Sequence, residues 1–401
     1  MALDKVIDSA VLDAGLTSVA DAIRAKGGTS GQLAFPGGFV SAVEGIQTGG
    51  GTVERTAWYR PPDWPDITSF PIPDTYDSEG NAIYGQYLYI LVDTQIDTLT
   101  KNATVTRRYT KGTIERGHIE NGDFVIDKTW ADTKNAEIDW DVEGERYVIF
   151  RVYHHHYTSY PSDTFSFPVS FPAVEVYGHT HRGSFNNCWC GMPSIQALTL
   201  TGRDVSFNGL SKVWLPSSAA YIDFSRMEWV DEARILASRF EQLRNLQVLK
   251  MPTNTLTLST AHQSDWPVSM CNNCQSLRTL DLSMIDTTAA TDISQMFDYC
   301  YSLHTLNISG WNLSSVKKIS NTFRGCDSLV NLITEGCVMP SISFSLSTAP
   351  LLSAESLNGV ITALPVLAEG TTATLTLGAA NKAKLTADEI AVATGKGWTV
   401  A

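Results

Sequence analysis

The amino-acid sequence predicts a multidomain protein: a small helical N-terminal module, an antiparallel β-sandwich domain, and an α/β repeat solenoid with an α/β C-terminal cap. Three observations predict it: helical periodicity near the start, short β-rich runs separated by turns, and a repeat with an interval near 26 residues in the second half. The predicted segments are a helical attachment module (1–47), a Gly-rich linker (48–52), an aromatic-rich β domain (53–168), the repeats (169–350) and the cap (351–401). Within the cap, the sequence predicts a helix from Ala354 to Ala363, a strand at Thr374–Leu377 and a helix from Asn381 to Thr394, before a final Trp398–Val400.

The composition excludes several classes of function. The 401 residues are 43% hydrophobic and 18% charged, which is typical of a globular chain with a sizeable core. A net charge of −13 disfavours nucleic-acid binding, which needs clustered Lys and Arg. No apolar run reaches the roughly 18 residues of a membrane helix, and the first twenty residues lack the features of a secretory signal. Seven cysteines, an odd number, indicate packed thiols rather than a disulfide framework.

The N-terminal module is predicted from apolar residues at helical spacing. They run from Leu16 to Ile23 and end at Gly27-Gly28, and a second short helix follows Phe35. Such a module is too small to hold a core alone, so we expect it to dock onto a partner or onto its own symmetry mates.

Four β-rich runs separated by Gly, Asn and Asp turns predict the sandwich domain. These runs are Tyr87–Val92, Ala103–Thr106, Phe124–Ile126 and Tyr147–Val152.

The run from Glu137 to Glu143 places alternate carboxylates on one face of a strand. Such a row could bind calcium, or a pair such as Asp139 and Asp141 could act catalytically; the alternative is a solvated face that discourages edge pairing. Trp58 and Trp64 are candidate ligand contacts, because flat rings suit sugar faces; the alternative is a packed strand entrance.

Two histidine-containing segments are candidate metal sites. The run His154-His155-His156 alternates faces in a strand, so its neighbours make poor joint ligands. His179 and His181 precede Cys188 and Cys190, but each pair is separated by one residue rather than by the wider loop of a zinc site. We therefore expect no metal and no cofactor.

The repeat is the strongest signal in the chain. Apolar residues recur at positions p, p+3 and p+5, as in Leu277, Leu280 and Leu282, and a cysteine three positions earlier recurs at intervals of 26. Seven such rungs predict a parallel strand ladder with apolar side chains inside and polar ones outside. The candidate ligand contacts on its outer face are Arg278, Asp281, His304 and Asn307, and Cys274, Cys300 and Cys326 are predicted to form a buried thiol ladder.

Several segments resemble known families. Met296-Phe-Asp-Tyr-Cys-Tyr-Ser-Leu-His-Thr-Leu-Asn-Ile-Ser-Gly310 resembles the BspA-like leucine-rich repeats of bacterial surface proteins, adhesins and gut-phage tail proteins. The segments 16–39 and 375–398 resemble the two ends of tail and baseplate proteins from phages and prophages of gut Firmicutes. This resemblance implies a virion tail protein, made in the host cytoplasm, that contacts other tail or baseplate proteins through residues 1–47 and a host-surface glycan or protein through its later domains. Phage attachment proteins are often trimeric, which makes a homotrimer one possible assembly.

No catalytic fingerprint of the common nucleophilic, phosphate-binding, zinc or dinucleotide types is present, so we expect a structural and attachment protein rather than an enzyme. Two alternatives stay open: a bacterial cell-surface leucine-rich-repeat adhesin, and a glycan-cleaving enzyme that uses acids such as Asp139 and Asp141.

Overall fold

The computed structural model describes residues 64–71, 85–93, 102–106, 112–131, 135–139, 146–155, 173–180, 197–204, 218–229, 240–252, 255–258 and 269–401. The chain divides into two compact units, 1–56 and 57–401, and all described residues belong to the second unit. The predicted helical module and Trp58 lie outside the described residues. Among the described helices, none is long and apolar enough to cross a membrane.

Six strands form the first part of the second unit. They are β1 (Gly85–Asp93), β2 (Asn102–Thr106), β3 (Gly112–Glu120), β4 (Asp123–Ala131), β5 (Asn135–Asp139) and β6 (Tyr147–His155). β1, β6, β3 and β4 pair antiparallel in that order, and β2 pairs antiparallel with β5 in a separate ribbon. The predicted antiparallel strands are thus confirmed, and β3 is an addition to them.

The antiparallel strands do not form one layer of a separate sandwich in the described part of the chain. β7 (Ala173–Thr180) pairs antiparallel with β1 on one edge and parallel with the next strand on the other, so both strand types lie in one 11-stranded sheet. Trp64, Ile67 and Phe70 pack against one face of that sheet. Among the described residues, this short segment rather than a second sheet supplies apolar cover to that face.

The remaining strands of the sheet are parallel. They are β8 (Ala197–Asp204), β9 (Tyr221–Trp229), β10 (Val248–Lys250), β12 (Thr279–Asp281), β14 (Thr305–Asn307) and β15 (Asn331–Ile333). The p+3 positions of the predicted rungs are register partners: Leu280 pairs with Leu306, and Leu306 pairs with Leu332. The same holds for the earlier rungs at Val174, Leu198, Ile222 and Leu249. The parallel ladder and its register are confirmed.

The interior of the ladder is apolar because the repeat places apolar side chains at the inward positions of successive turns. All three apolar positions are buried in the turns that start at Leu246, Leu277 and Leu303. Burying one such side chain contributes about 1.5–3 kcal/mol to folding. The same core includes Ile90, Val148 and Phe150 from the antiparallel strands, so one core runs from the antiparallel strands into the repeats.

Successive turns also pair along other sides of the coil. β11 (Leu256–Thr257) pairs parallel with β13 (Ile285–Asp286), and an isolated bridge joins Asp292 to Lys318. In the turns before the cysteines, N–H groups donate to carbonyls one turn further along, as from Phe297 to Thr322 (3.1 Å) and from Tyr299 to Arg324 (2.7 Å). These bonds fix each turn on the next.

The C-terminal cap follows the last turn. It comprises β16 (Phe344–Ser345), α1 (Ala354–Ala363), β17 (Ala373–Thr376), α2 (Gly378–Lys382), α3 (Ala387–Gly395) and β18 (Trp398–Val400), and the three strands form a small parallel sheet. The helix predicted from Ala354 to Ala363 is confirmed. The helix predicted over 381–394 is instead two helices, because Thr386 and Glu389 form a capping box that starts a new helix.

Candidate functional site

The outer surface of the last three ladder strands is the candidate site. We call it the strand face and define it by the outward residues of β12, β14 and β15 and the residues before β12 and β14. Its members are Arg278, Thr279, Asp281, His304, Thr305, Asn307, Asn331 and Ile333. Alternation along a strand sends the p+2 and p+4 side chains outward while the p+3 leucines point into the core.

The same side of the sheet is covered further towards the N-terminus. Trp64, Ile67 and Phe70 pack with Tyr89 and Tyr221 in a second apolar cluster, against which Val248 is partly buried. β12 lies beside β10 in the sheet, and its outward residues Thr279 and Asp281 are exposed. The strand face is therefore the uncovered continuation of a packed surface.

Trp64 was predicted as a ligand contact, and its position contradicts that role. Its side chain is only 4% exposed and belongs to the apolar cluster beneath segment 64–71. A ring buried in this way offers no free face to a ligand, so Trp64 follows the packing alternative.

The four predicted contacts on the repeats lie together on the strand face. The carboxylate of Asp281 accepts a hydrogen bond from the N–H of Ser283 (2.9 Å), and the side-chain oxygen of Asn307 accepts one from the N–H of Ser309 (3.0 Å). These hydrogen bonds close a short turn at the end of β12 and of β14, and they hold the side chains of Asp281 and Asn307 in place there.

Arg278 and His304 lie at the opposite ends of the same strands, and both are exposed. The N–H of His304 donates to the carbonyl of Arg278 at 2.8 Å. Nδ1 of the His304 ring lies 3.2 Å from Oγ1 of Thr305. The strand face thus offers cationic, hydroxyl, amide and carboxylate groups on fixed backbone.

A groove borders the strand face where α1 meets β15. Its volume is about 730 Å³, and it is lined among others by Asn331, Ile333, Glu335, Glu355 and Gly359. This groove is not among the features that the sequence predicts. The available signal was Gly359, a glycine inside a helix: a Cβ there would lie 2.6 Å from Oγ1 of Thr334, so only glycine lets α1 approach this closely.

Buried charges near the covered surface have structural partners. Glu175 is fully buried and accepts hydrogen bonds from Nη1 of Arg226 (2.8 Å) and Oγ1 of Thr201 (3.1 Å). These residues come from β7, β8 and β9, so the ion pair ties three adjacent strands together.

Asp223 is a second buried carboxylate in the same part of the sheet. Burial raises its pKa, but hydrogen bonds from Ser225 and Tyr221 outweigh this and lower it overall. Burial, together with the bond to Asp223, raises the pKa of Tyr221. Lys250 from the next turn lies 3.5 Å from the carboxylate. This arrangement holds Asp223 ionised and Tyr221 protonated, which is a stabilising arrangement rather than a proton-exchanging one.

Within the described ranges, no group of three or more His, Cys, Asp or Glu side chains is placed to hold a metal ion. His154 and His155 lie in β6 and His179 lies in β7, whereas His156, His181, Cys188 and Cys190 lie outside the described residues. Of the carboxylate row, Glu137 and Asp139 belong to β5, and residues 140–143 are likewise outside.

Comparison with models of known protein families gives a match in the repeat region. Residues 267–336 match a family model described as "Mycoplasma protein of unknown function, DUF285". The match covers the three cysteine-bearing turns and β12, β14 and β15, and it is consistent with the BspA-like repeats predicted from the sequence. Neither the curated proteins nor the solved structures contain a significant match.

Proposed function

We propose that this chain is an attachment protein in which a leucine-rich-repeat solenoid presents its strand face to a molecule on the surface of a bacterial cell. The observation that carries the proposal is the strand face itself: a largely polar surface of exposed and half-buried side chains on a ladder whose interior is buried and apolar. Attachment needs a stiff surface with fixed polar groups, and stacked repeats supply it without any reaction chemistry.

The setting we propose is a phage tail or baseplate, with residues 1–47 bound to other tail proteins and the rest of the chain directed at the host. The resemblance of segments 16–39 and 375–398 to phage tail proteins supports this setting. Deleting residues 1–47 should prevent incorporation into virions, as measured by immunoblotting of purified particles. Normal incorporation of the shortened chain would refute the anchoring role.

The strand face is tested by binding to host cells. Replacing Arg278 and His304 together by alanine removes the guanidinium and the imidazole of the strand face while leaving the buried leucines in place. We expect at least a tenfold loss of binding of the purified protein to host cells, measured by flow cytometry. The matched control replaces two exposed residues off this face, Lys317 and Glu369, and should bind as the parent protein does. Equal binding by both variants would remove the strand face from the proposal.

The alternative is a bacterial cell-surface adhesin with the same repeats. The family match favours the adhesin because the description of the family names a bacterium, Mycoplasma, rather than a phage. Immunogold labelling with an antibody to this chain separates the two settings: label on phage tails supports the first, and label on bacterial envelopes supports the second.

A further inference from the structure

The turn before Cys300 contains a tyrosine in a backbone conformation that tyrosine rarely adopts. Tyr299 has φ 58°, and the equivalent positions of the neighbouring turns hold Asn273 (φ 65°) and Gly325 (φ 73°). Asparagine and glycine tolerate left-handed backbone, whereas a bulky side chain there is strained. The fold therefore needs a left-handed residue at this point, and the sequence supplies one that does not favour it both here and two turns earlier, where the position holds Gln242 (φ 66°). Strain of this kind often marks a functional position.

The neighbouring residues make room for the ring. The ring centroids of Tyr299 and Tyr301 lie 5.8 Å apart with their planes tilted by 49°. A Cβ on Gly325 would lie 3.2 Å from Cδ1 of Tyr299 and 3.3 Å from Cε1 of Tyr301. Glycine in the next turn thus lets both rings lie against the backbone, and the Tyr301 side chain stays 41% exposed.

An ion pair supports the first ring. The Arg324 guanidinium lies 4.6 Å from the centroid of Tyr299, and its Nε donates to Oδ1 of Asp298 at 2.8 Å. Asp298 is only 1% exposed, and Nη2 of Arg324 donates to its second oxygen, so the planar guanidinium is fixed at both ends. The pair occupies equivalent positions 26 residues apart in consecutive turns, which locks one turn onto the next.

Arg324 also lines a groove of about 380 Å³, together with the apolar side chains of Ile319, Phe323 and Phe344. The groove carries hydroxyl and amide groups and little charge, since Arg324 is neutralised by Asp298. The polar side chains lining it are Ser320, Asn321, Thr322, Ser343, Ser345, Thr348 and Thr376.

We propose that Tyr301, supported by Tyr299 and Arg324, forms a tyrosine platform that binds a neutral pyranose ring of a cell-surface carbohydrate. The C–H groups on one face of a pyranose are weakly positive and pack against the negative face of an aromatic ring, and its hydroxyl groups exchange hydrogen bonds with polar side chains such as those of the adjacent groove. This goes beyond the attachment role of the strand face, because the platform consists of turn residues outside the strands and needs none of the strand-face side chains.

The probe is a panel of five methyl glycosides (glucose, galactose, mannose, N-acetylglucosamine and rhamnose) with saturation-transfer NMR on the full chain. At least one glycoside should bind saturably, and Tyr301→Ala should weaken that binding about 5- to 10-fold. The matched control is Val366→Ala, which truncates another exposed apolar side chain in the cap and should leave binding unchanged.

A second variant separates function from folding. Tyr299→Asn restores a residue that suits left-handed backbone, so the melting temperature should hold or rise while glycoside binding weakens. Absence of binding by every glycoside in the panel, or binding that survives Tyr301→Ala, overturns the proposal. If no glycoside binds at Tyr301 but cell binding still depends on Arg278 and His304, the tyrosine platform is refuted and the strand-face function stands. If a glycoside binds at Tyr301 but cell binding does not depend on Arg278 and His304, the strand-face function alone is refuted.

Discussion

At the scale of single residues, consecutive turns of the repeat are linked by a hydrogen bond from a side-chain thiol or hydroxyl to a backbone carbonyl of the turn before. The thiols of Cys274, Cys300 and Cys326 donate to the carbonyls of Phe240, Cys271 and Phe297 at 2.9, 3.1 and 3.2 Å. Thr348 takes over at the end of the stack, where its hydroxyl donates to the carbonyl of Phe323 at 3.0 Å. All five cysteines in the described residues are buried and unbridged, which confirms the thiol ladder predicted from the 26-residue interval.

The buried thiols predict a loss of stability in alkaline solution. Burial raises the pKa of Cys271, Cys300 and Cys326, so the folded chain keeps protons that the unfolded chain releases above about pH 8.5. The stabilisation is therefore complete below that pH and is lost as the pH rises, by about 1.4 kcal/mol per pH unit for each thiol. Urea unfolding at pH 7.5 and 9.5 under reducing conditions measures it. Cys326→Ala should lose less stability between these two pH values than the parent; an equal loss would contradict the argument.

Two glycines at left-handed positions predict unequal effects of the same substitution. Gly310 has φ 77° with nothing within 4 Å of an added Cβ, so Gly310→Ala should cost about 1–2 kcal/mol through the backbone alone. Gly325 has φ 73°, and its added Cβ would lie 3.2 Å from the Cα of Tyr299, so Gly325→Ala should cost about 1 kcal/mol more through overpacking. Thermal unfolding of both variants tests this. Equal destabilisation would show that the backbone at Tyr299 moves at no cost to accommodate the added Cβ.

At the scale of elements, the sequence predicted what its periodicity encodes. The leucine interval identified the rungs because the p+3 side chains from Leu198 to Leu332 are buried, and the apolar residues of α1 identified the first cap helix. β3 was missed because Gly112–Glu120 is rich in polar residues. The signal for it was Asn121-Gly122, whose φ values of 54° and 92° form the two-residue turn of the β3–β4 hairpin.

The candidate site was predictable only in part. Asp281 and Asn307 were placed on the outer face because p+4 alternates with the buried p+3 position. Trp64 was misassigned because an aromatic residue between prolines and an aspartate has the same local sequence whether it packs inward or outward. The tyrosine platform was missed because the equivalence of Tyr299 to Gly325 has meaning only once the backbone angle is known.

The junction between α1 and the ladder yields a prediction at this scale. The hydroxyl of Ser356 accepts a hydrogen bond from the N–H of Leu332 (2.9 Å) and donates to the carbonyl of Val330 (3.1 Å), so it satisfies the edge of β15. Ser356→Ala leaves the N–H of Leu332 without this acceptor and removes one of two hydrogen bonds to the carbonyl of Val330, which also accepts from the N–H of Ser353 at 2.9 Å, so it should cost about 1–3 kcal/mol. Thr362→Ala, an exposed position on the same helix, is the control and should change the free energy of unfolding by less than about 0.5 kcal/mol. Equal values for the two variants in urea unfolding would mean that water replaces the Ser356 hydroxyl.

At the scale of the whole described unit, one sheet begins at the β3–β4 hairpin and ends at β15 under the cap. A ladder of parallel strands has an open end wherever it stops, with unpaired backbone groups and an uncovered core. Here α1 supplies Leu357, Val360 and Ile361, all buried in the same core as the repeats. The cap therefore covers the core and pairs the backbone of the last turn, as the following turn does for each earlier one.

This role of the cap predicts the behaviour of a chain that ends at Leu352. Without α1, the backbone of β15 loses Ser356, and the apolar side chains of the last turns meet water, so we expect concentration-dependent self-association through the exposed edge. Sedimentation velocity at several concentrations measures it, with the full chain as the reference. Adding Ile333→Lys to the shortened chain places a charge on that edge, at a side chain that is already 42% exposed. This change should reduce the self-association of the shortened chain and have little effect on its melting temperature. A shortened chain that stays monomeric, with the melting temperature of the full chain, would show that the ladder closes its own end and that the cap serves another purpose.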